Sequence, residues 1–540
     1  MKIVLKYRID GHVVESSETE NDIYEIFTFN NGARESAVIK TKRPVLLLDA
    51  YIVQRYEYTK NDYIFVNGYQ SWTDTKEYRA GKNLRSLNHL PSAVRNTFHF
   101  AEYGDSYFLK YRPGRVHGFT YSYVKKKDGN VRFWGSLNEN NAYLIICHEA
   151  ARGRVVLHSD VRGRTVDGEF TLFDFVTYDA PVKQAQDMYF ASYGTCTAQP
   201  LRGYTSWYND YQNINEKKML KALDGLDSSE YDLFQIDDGY ETFVGDWLDI
   251  DKNKFPNGLK GIVDLAHGKG LKAGIWLAPF VAEKDSALFK EHPDWILRRN
   301  GEPVFAGCNW SGQAALDIRK EPVMDHIKKC LEFYKDMGFD FFKLDFLYAA
   351  ALAGGDGRYT RAEIMRKAME TLREILKDRL ILGCGVPLSS AFNLADYCRI
   401  GPDITLTLDD KFYMKFMHRE RTSTKVTLLN TIYRYPMDGK VFRCDPDVYL
   451  LRDDNIKLTK DQKTAVTIIN HLFGSLYLTS DNVADYDDEK LAVLHTAREL
   501  SCAQVTDIRC RGSLVFIKYE KGGQSGKLVY NSAKGVLYNG

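Results

Sequence analysis

The sequence predicts a multidomain protein of mixed α/β and all-β class. We expect an N-terminal β-sandwich at residues 1–195, a central (β/α)8 TIM barrel at residues 196–499 and a small C-terminal β-sheet domain at residues 500–540. Three observations support this prediction. The chain of 540 residues exceeds one ordinary domain and has room for a barrel of ~250 residues. Near residue 200 the pattern changes from short alternating runs to apolar runs separated by helical patterns, and near residue 500 the alternation returns.

The N-terminal third alternates apolar and polar residues in the way that is typical of half-buried strands. Examples are the runs at residues 3–9, 131–134 and 170–175, and turn signals such as Asn30-Asn31-Gly32 separate them. Many short strands with few helical patterns predict a large β-sandwich. The C-terminal segment alternates again at residues 514–519 and 528–530, which is enough for a small terminal sheet.

Between these two regions, apolar runs alternate with amphipathic helical patterns. Thr360-Arg361-Ala362-Glu363 and Thr459-Lys460-Asp461-Gln462 are capping boxes that predict helix starts, and Gly338 predicts a left-handed helix end. The eight strand candidates cover residues 203–207, 233–239, 272–279, 339–347, 380–385, 397–401, 441–445 and 475–481. Eight β/α units in roughly 285 residues match a TIM barrel, and an open doubly wound sheet is the structural alternative.

Composition narrows the class of function. Lys and Arg number 73 against 72 for Asp and Glu, a balance that disfavours nucleic acid and anionic membranes as partners and favours a neutral substrate. The nine cysteines form no Cys-x-x-Cys pair and no zinc-type cluster, so we expect reduced thiols and no metal site. The first residues alternate instead of forming an apolar signal core, and the longest apolar runs fall short of the ~18 residues that span a bilayer. We therefore expect a soluble, cytoplasmic protein.

Polar side chains follow the predicted barrel strands where each strand ends. In a barrel these groups meet at one mouth, and here they are mainly carboxylates and aromatic rings with two cations. The groups are Trp207, Asp210, Asp237, Asp238, Trp276, Lys343, Asp345, Cys384, Pro387, Arg399, Asp403, Asp445, Asp447 and Asp481. The chain has neither a P-loop nor a Gly-x-Ser-x-Gly motif, which disfavours phosphoryl transfer and serine esterase chemistry.

Paired carboxylates with stacking aromatics are what glycoside hydrolysis requires, because one carboxylate attacks or stabilises the anomeric centre and the other protonates the leaving oxygen. Asp345 and Asp403 are the candidate pair. Each has a cation nearby in sequence, Lys343 and Arg399, that could hold one carboxylate ionised, while the acid needs a drier site that raises its pKa. These residues alone do not decide which carboxylate takes which role.

Seven segments of the chain, in order between residues 67 and 447, resemble glycoside hydrolase family 36, the bacterial α-galactosidases. They are Asn67-Gly68-Tyr69-Gln70-Ser71-Trp72, Gln235-Ile236-Asp237-Asp238-Gly239, Gly274-Ile275-Trp276-Leu277-Ala278-Pro279-Phe280, Lys343-Leu344-Asp345-Phe346, Gly383-Cys384-Gly385-Val386-Pro387-Leu388, Arg399-Ile400-Gly401-Pro402-Asp403 and Asp445-Pro446-Asp447. The resemblance implies a retaining exo-glycosidase acting on terminal α-D-galactosides. Asp345 would be the nucleophile that forms a covalent galactosyl intermediate, and Asp403 would be the acid/base.

The resemblance also implies roles in binding the sugar. Asp237 and Asp238 would accept hydrogen bonds from the O4 and O6 hydroxyls of galactose, Lys343 and Arg399 would bind ring hydroxyls, and Trp276 would form part of the sugar pocket. Trp72 would reach over from the β-domain to line the site.

Four other residues, Trp207, Cys384, Asp445 and Asp447, each have two possible roles. Trp207 stacks on the aglycone or packs in the barrel, and Cys384 either lines the pocket or is a small buried residue at a crowded strand end. Cys444 departs from the wider clan, which often has Asn before Asp-Pro-Asp, and this leaves the role of Asp445 open. Asp445 and Asp447 either serve the site or order a loop.

The implied partner is a small oligosaccharide with a terminal α-galactose, with no cofactor and with a homo-oligomer as an option. Two relatives of this function stay open: an α-N-acetylgalactosaminidase and a galactosyl-transferring enzyme. Two alternatives come from different classes: a lyase that uses Lys343 as a Schiff-base amine, and a non-catalytic sugar-binding protein. For retention the two carboxyl groups should lie ~5 to 5.5 Å apart, and a gap of ~6.5 to 9.5 Å would indicate inversion.

Overall fold

The computed structural model describes residues 1–85, 89–97, 99, 102, 112–409 and 417–540. These residues form two compact units. The first comprises Met1–Tyr69, Thr75–Tyr193 and Tyr348–Glu370, and the second comprises Gln70–Asp74, Gly194–Leu347 and Thr371–Gly540. The predicted domain boundaries after residues 195 and 499 stay predictions.

The first unit contains two antiparallel sheets, each of seven strands among the described residues. One sheet runs in the order His12–Ser16, Ile3–Ile9, Val45–Arg55, Arg154–Ser159, Leu144–Glu149 and Arg115–Phe119, with Arg164–Val166 pairing to Val45–Arg55. The other runs Tyr24–Asn31, Arg34–Thr41, Glu169–Pro181, Asn130–Ser136, Tyr121–Lys125, Tyr63–Val66 and Lys76–Arg79. The helices Ser92–Thr97 and Val182–Ala191 accompany them.

Alternate residues of both sheets bury into one core. Leu5 and Leu47 of the first sheet and Ile39 and Phe175 of the second have no solvent exposure and belong to the same cluster, together with Trp134. Because side chains alternate between the faces of a strand, the apolar-polar alternation of the sequence produces this arrangement. The predicted β-sandwich is confirmed.

The second unit is built on a parallel sheet. Its strands are Leu201–Thr205, Leu233–Ile236, Lys272–Leu277, Phe341–Leu344, Leu380–Gly383, Tyr397–Arg399, Arg443–Asp445, Val448–Tyr449 and Leu476–Thr479. Arg443–Asp445 pairs with the sixth strand and Val448–Tyr449 with Leu476–Thr479, which in turn pairs with the first strand. Pro446 and Asp447 are all that separates these two segments. The sheet therefore closes through a seventh strand that is broken in the middle, and the predicted barrel of eight strands is confirmed.

Helices follow the barrel strands, and three of their ends lie where the sequence predicted them, at Thr360, Thr459 and Gly338. They are Trp207–Asp210, Glu216–Asp224, Lys260–Gly268, Ala287–Glu291, Glu321–Met337, Arg361–Leu376, Thr424–Arg434, Lys460–Phe473 and Asp488–Leu500. In both predicted capping boxes the side chains and backbone N–H groups bond reciprocally, Thr360 with Glu363 and Thr459 with Gln462. Gly338 ends its helix at a φ of 109°. None of the helices in the described part of the chain combines the length and apolar composition that crossing a bilayer requires.

Two smaller β structures complete the second unit. The small sheet expected near the C-terminus is antiparallel and has four strands, Gln504–Arg511, Leu514–Lys521, Gln524–Asn531 and Val536–Asn539. A three-stranded sheet that the sequence did not predict follows the third barrel strand and comprises Val281–Glu283, Phe305–Gly307 and Gln313–Ala315. A two-stranded ribbon of Arg298–Arg299 and Glu302–Pro303 lies in the same part of the chain.

Candidate active site

A cavity of about 320 Å³ lies at the carboxyl ends of the barrel strands. Its wall is rich in carboxylates and tryptophan, and it consists of Trp207, Gln212, Asp237, Asp238, Trp276, Asn309, Trp310, Lys343, Asp345, Phe346 and Asp403. Three larger clefts contain none of the predicted site residues: two, of about 730 and 640 Å³, lie on the first unit, and one, of about 400 Å³, lies beside Phe333 on the second. The barrel cavity therefore gathers seven of the fourteen strand-end groups that the sequence singled out.

Asp345 follows directly after the fourth barrel strand, and both of its oxygens are held by donors. The indole Nε1 of Trp276 donates to Oδ2 at 3.2 Å, and the backbone N–H of Phe346 donates to Oδ1 at 2.7 Å. Phe346 adopts a left-handed φ of 51°, an unusual conformation for a bulky residue, right beside the carboxylate that its N–H contacts. Burial raises the pKa of Asp345, Lys343 opposes that shift, and the charge of Asp403 adds to it.

Asp403 is the more open of the two candidate carboxylates, with half of its side chain exposed (51%). Its Oδ1 accepts a hydrogen bond from Nη1 of Arg399 at 2.9 Å. Arg399 is almost fully buried and also contacts two further carboxylates, with Nε 2.7 Å from Oδ2 of Asp445 and Nη2 2.9 Å from Oδ1 of Asp447. Asp445 and Asp447 thus hold the arginine that contacts Asp403.

Lys343 pairs with Asp237, its Nζ lying 2.7 Å from Oδ2. The lysine is on the fourth strand and the aspartate follows the second, so the ion pair crosses over the third strand inside the barrel. Gln235 and Thr205 also donate to Oδ2 of Asp237, at 2.9 and 3.2 Å. Burial alone would raise the pKa of Asp237, but Lys343 and the hydrogen bonds keep it below the ordinary value.

Asp238 is held by neutral donors. Nε2 of Gln212 donates to its two oxygens at 3.2 and 3.0 Å, and Nε1 of Trp310 donates to Oδ2 at 3.1 Å. The following Gly239 has a φ of 116°, and a Cβ there would lie 2.7 Å from the Cα of Gln212. Glycine is required at this turn because Gln212 must approach closely to reach Asp238.

Not every predicted site residue lines the cavity. Seven of them do: Trp207, Asp237, Asp238, Trp276, Lys343, Asp345 and Asp403. Among the described residues, Trp72, Cys384 and Arg399 lie outside its wall. The ring of Trp72 is 5.8 Å from that of Phe346, and Gly385 lies against it, since a Cβ on Gly385 would be 3.3 Å from its Cη2. Cys384 is buried, and burial raises the pKa of its thiol.

Sequence reasoning missed four wall residues: Gln212, Asn309, Trp310 and Phe346. The first three lie in connecting segments that bend back to the cavity, so a rule that reads only strand ends cannot find them. A weak signal existed for Trp310, because an aromatic residue in a long polar connection is a common feature of binding loops. Its ring lies 6.1 Å from Trp276 and 5.4 Å from Phe346, so three aromatic rings adjoin on one side of the cavity.

Several known proteins are similar to parts of this chain. The family model for melibiase matches residues 199–376. The α-galactosidase Mel36A of Lactobacillus acidophilus is 30% identical over 148 residues, which are 26% of this chain and 20% of that protein. The α-xylosidase XylQ of Lactiplantibacillus pentosus is 28% identical over 234 residues, which are 40% of this chain and 29% of that protein. These alignments span less than a third of the curated relatives' length.

A solved structure covers far more of the chain. The α-galactosidase TtGalA from Thermus thermophilus, in complex with p-nitrophenyl α-D-galactopyranoside, aligns with a TM-score of 0.72 and 26% identity, covering 93% of this chain and 98% of that one. Together, the family match, the relatives and this fold agree with the resemblance that the seven sequence segments carry: the chain is similar to α-galactosidases.

Proposed function

We propose that the chain is a retaining α-galactosidase that removes terminal α-D-galactose from small oligosaccharides. The observation that carries this proposal is that Asp345 and Asp403 share one cavity with the neighbouring carboxylates Asp237 and Asp238. Two carboxyl groups across a sugar-sized cavity are the requirement for glycoside hydrolysis, and further carboxylates suit hydroxyl recognition. The solved complex of TtGalA with an aryl α-galactoside supports the choice of sugar.

Asp345 is the proposed nucleophile. Its two oxygens are fixed by Trp276 and by the Phe346 N–H, and donors of this kind favour the charged form and orient it. In the first step an Asp345 oxygen forms an ester bond with the anomeric carbon as the glycosidic bond breaks. Because burial raises the pKa of this carboxyl, the reaction needs a pH above that raised value.

Asp403 is the proposed acid/base. Its half-exposed side chain suits exchange of protons with an entering water and a departing alcohol. It gives its proton to the leaving oxygen in the first step. In the second step it takes a proton from water, whose oxygen attacks the anomeric carbon and releases the ester, so that the enzyme returns to its starting state.

The alternative in which Lys343 forms a Schiff base is disfavoured. An amine nucleophile must lose its proton near neutral pH, which requires a lowered pKa. Burial would lower the pKa of Lys343, but the 2.7 Å contact with Asp237 outweighs burial and raises it. A lysine held as an ammonium suits hydrogen bonding to a sugar hydroxyl, which is the role the proposal gives it.

A side-by-side assay with four aryl α-glycosides tests the function: the galactoside, the N-acetylgalactosaminide, the glucoside and the xyloside. We expect the galactoside to have by far the highest kcat/KM. Asp345→Asn should lower it at least ~10³-fold, whereas Asp264→Asn, at an exposed carboxylate on the helix Lys260–Gly268, should not. Turnover of the xyloside alone would contradict the proposal, and so would galactose binding without turnover of any substrate.

A further inference from the structure

A second carboxyl group lies buried beside Asp238. Glu241 is 5% exposed and Asp238 is 3% exposed, and the two groups are within hydrogen-bonding reach of each other. Among the described residues, neither has a cation within 4.0 Å, in contrast to Asp237, which has Lys343. Two carboxyl groups in a dry site without a cation cannot both be ionised, so one of them keeps a proton.

The surrounding donors decide which carboxyl group is charged. Asp238 accepts hydrogen bonds from the side chains of Gln212 and Trp310, whereas Glu241, within the described part of the chain, accepts only from backbone N–H groups, its own and, at 3.3 Å, that of Gly239. The charge is therefore better solvated on Asp238, and the proton belongs to Glu241. Burial first, and then the neighbouring charge of Asp238, raise the pKa of Glu241 well above its ordinary value.

We propose that Glu241 is a positioning residue for sugar recognition: its protonated carboxyl donates a hydrogen bond to Asp238 and keeps that carboxylate ionised and turned to the cavity. Glu241 itself is not part of the cavity wall, so it acts through Asp238. This inference rests on the proposed function, in which Asp238 binds a galactose hydroxyl.

Other titratable groups near Glu241 do not replace it in this role. The hydroxyl groups of Tyr240 and Tyr334 donate to the carbonyl oxygens of Trp276 and Trp247, at 2.9 and 2.5 Å. Burial raises the pKa of both tyrosines, so they stay neutral while Glu241 titrates. Lys254 donates to backbone carbonyl oxygens and Asp237 is paired with Lys343.

Because Glu241 must stay protonated to donate to Asp238, we expect substrate binding to weaken at high pH. When Glu241 loses its proton, two carboxylates face each other and the donor to Asp238 disappears. The sugar hydroxyl then meets a carboxylate that repulsion has displaced, so KM rises while kcat, which depends on Asp345 and Asp403, changes less.

Steady-state kinetics with an aryl α-galactoside between pH 5 and pH 10 test this inference. We expect KM of the wild-type enzyme to rise on the alkaline side. Glu241→Gln keeps an N–H donor that cannot ionise, so KM should stay near the wild-type neutral value at every pH. Glu241→Ala removes the donor and should raise KM about tenfold even at neutral pH. Glu139→Gln is the matched control: Glu139 is also buried, lies in the first unit, accepts hydrogen bonds from Thr120 and from the backbone N–H of Leu144, and its replacement should leave the wild-type profile unchanged.

The inference is overturned if Glu241→Gln retains the alkaline rise in KM, or if both Glu241 variants have the wild-type KM throughout. Circular dichroism checks that each variant folds, and if Glu241→Ala does not, the comparison of Glu241→Gln with wild type is sufficient. A wild-type enzyme without turnover would reject the proposed function instead. In that case galactose binding, followed by tryptophan fluorescence over the same pH range and variants, still tests Glu241.

Discussion

Two buried cations of the barrel, Lys343 and Arg399, contact the cavity wall in different ways. Among the described residues, Lys343 contacts a single carboxylate, Asp237, which lines the cavity. Arg399 contacts three carboxylates, and only Asp403 among them lines the cavity. Lys343 is thus paired with a carboxylate that we propose binds the sugar, whereas Arg399 connects the proposed acid/base to the broken seventh strand.

Arg399 contacts the barrel at the point where the seventh strand is broken. Asp445 ends its first segment, and Asp447 lies in the break with a left-handed φ of 75°. Both side chains turn to Arg399 with no solvent exposure, and Asp447 also accepts hydrogen bonds from Tyr208 and from the N–H of Ile404, at 2.5 and 2.7 Å. Arg399 therefore stabilises the break as well as Asp403. Its predicted contact with sugar hydroxyls stays a prediction.

The largest expected loss of stability comes from replacing Arg399 or Lys343 by an uncharged residue. Arg399→Met leaves two fully buried carboxylates without a cation and should lower the free energy of unfolding by about 3–5 kcal/mol. Lys343→Met should lower it by about 1–3 kcal/mol, since Asp237 keeps the hydrogen bonds from Gln235 and Thr205. Urea unfolding followed by tryptophan fluorescence measures both.

An exposed ion pair supplies the control for that comparison. Lys260→Met removes the partner of Asp264 on a helix surface and should change the free energy of unfolding by less than about 1 kcal/mol. If the two variants lost equal free energy of unfolding, or if Lys343→Met lost more than Arg399→Met, the proposed difference between Arg399 and Lys343 would be contradicted.

A smaller effect on stability is expected from Asp447, one of the carboxylates that contact Arg399, and it should depend on pH. Burial, against the opposing charge of Arg399, raises the pKa of Asp447 from 3.8 to about 7. Between these two values the folded protein holds a proton that the unfolded chain has released, so this group's contribution to stability falls as pH rises and is constant above pH 7. Asp447→Asn should remove that part of the pH dependence.

Thermal or urea unfolding of the Asn variant and of the wild type at several pH values between about 4 and 8 gives this measurement. The wild type should lose more stability than the variant as pH rises through the window. Parallel curves for the two proteins would show that Asp447 has the same pKa in the folded and unfolded states.

Much of this architecture could be predicted from the sequence. All eight barrel strands are predicted near their observed positions, because a buried parallel strand needs a continuous apolar run. Helix signals at Thr360, Thr459 and Gly338 separate some of these runs from the helices. The convergence of Asp237, Lys343, Asp345 and Asp403 followed from the same logic, since parallel strands deliver their C-terminal residues to one face. The catalytic roles given to Asp345 and Asp403 stay predictions.

The rest depends on contacts that sequence order does not contain. Lys343 pairs with Asp237, 106 positions away, although Asp345 is its neighbour in sequence. Trp310 reaches Asp238 from the small sheet that follows the third strand, and Glu241 stands beside Asp238 because Gly239 turns the chain back. Such pairings arise from the tertiary packing of loops, which the alternation and periodicity of the sequence do not predict.

The central claim is that Asp345 attacks the anomeric carbon, and rescue of Asp345→Ala by azide tests it most directly. The shortened side chain leaves space for azide to attack an aryl α-galactoside with a good leaving group, and proton NMR reveals the configuration of the product. We predict that azide restores turnover in this variant and yields the β-galactosyl azide. Absence of rescue in Asp345→Ala, together with β-galactosyl azide formation by Asp403→Ala, would contradict the claim and exchange the two roles.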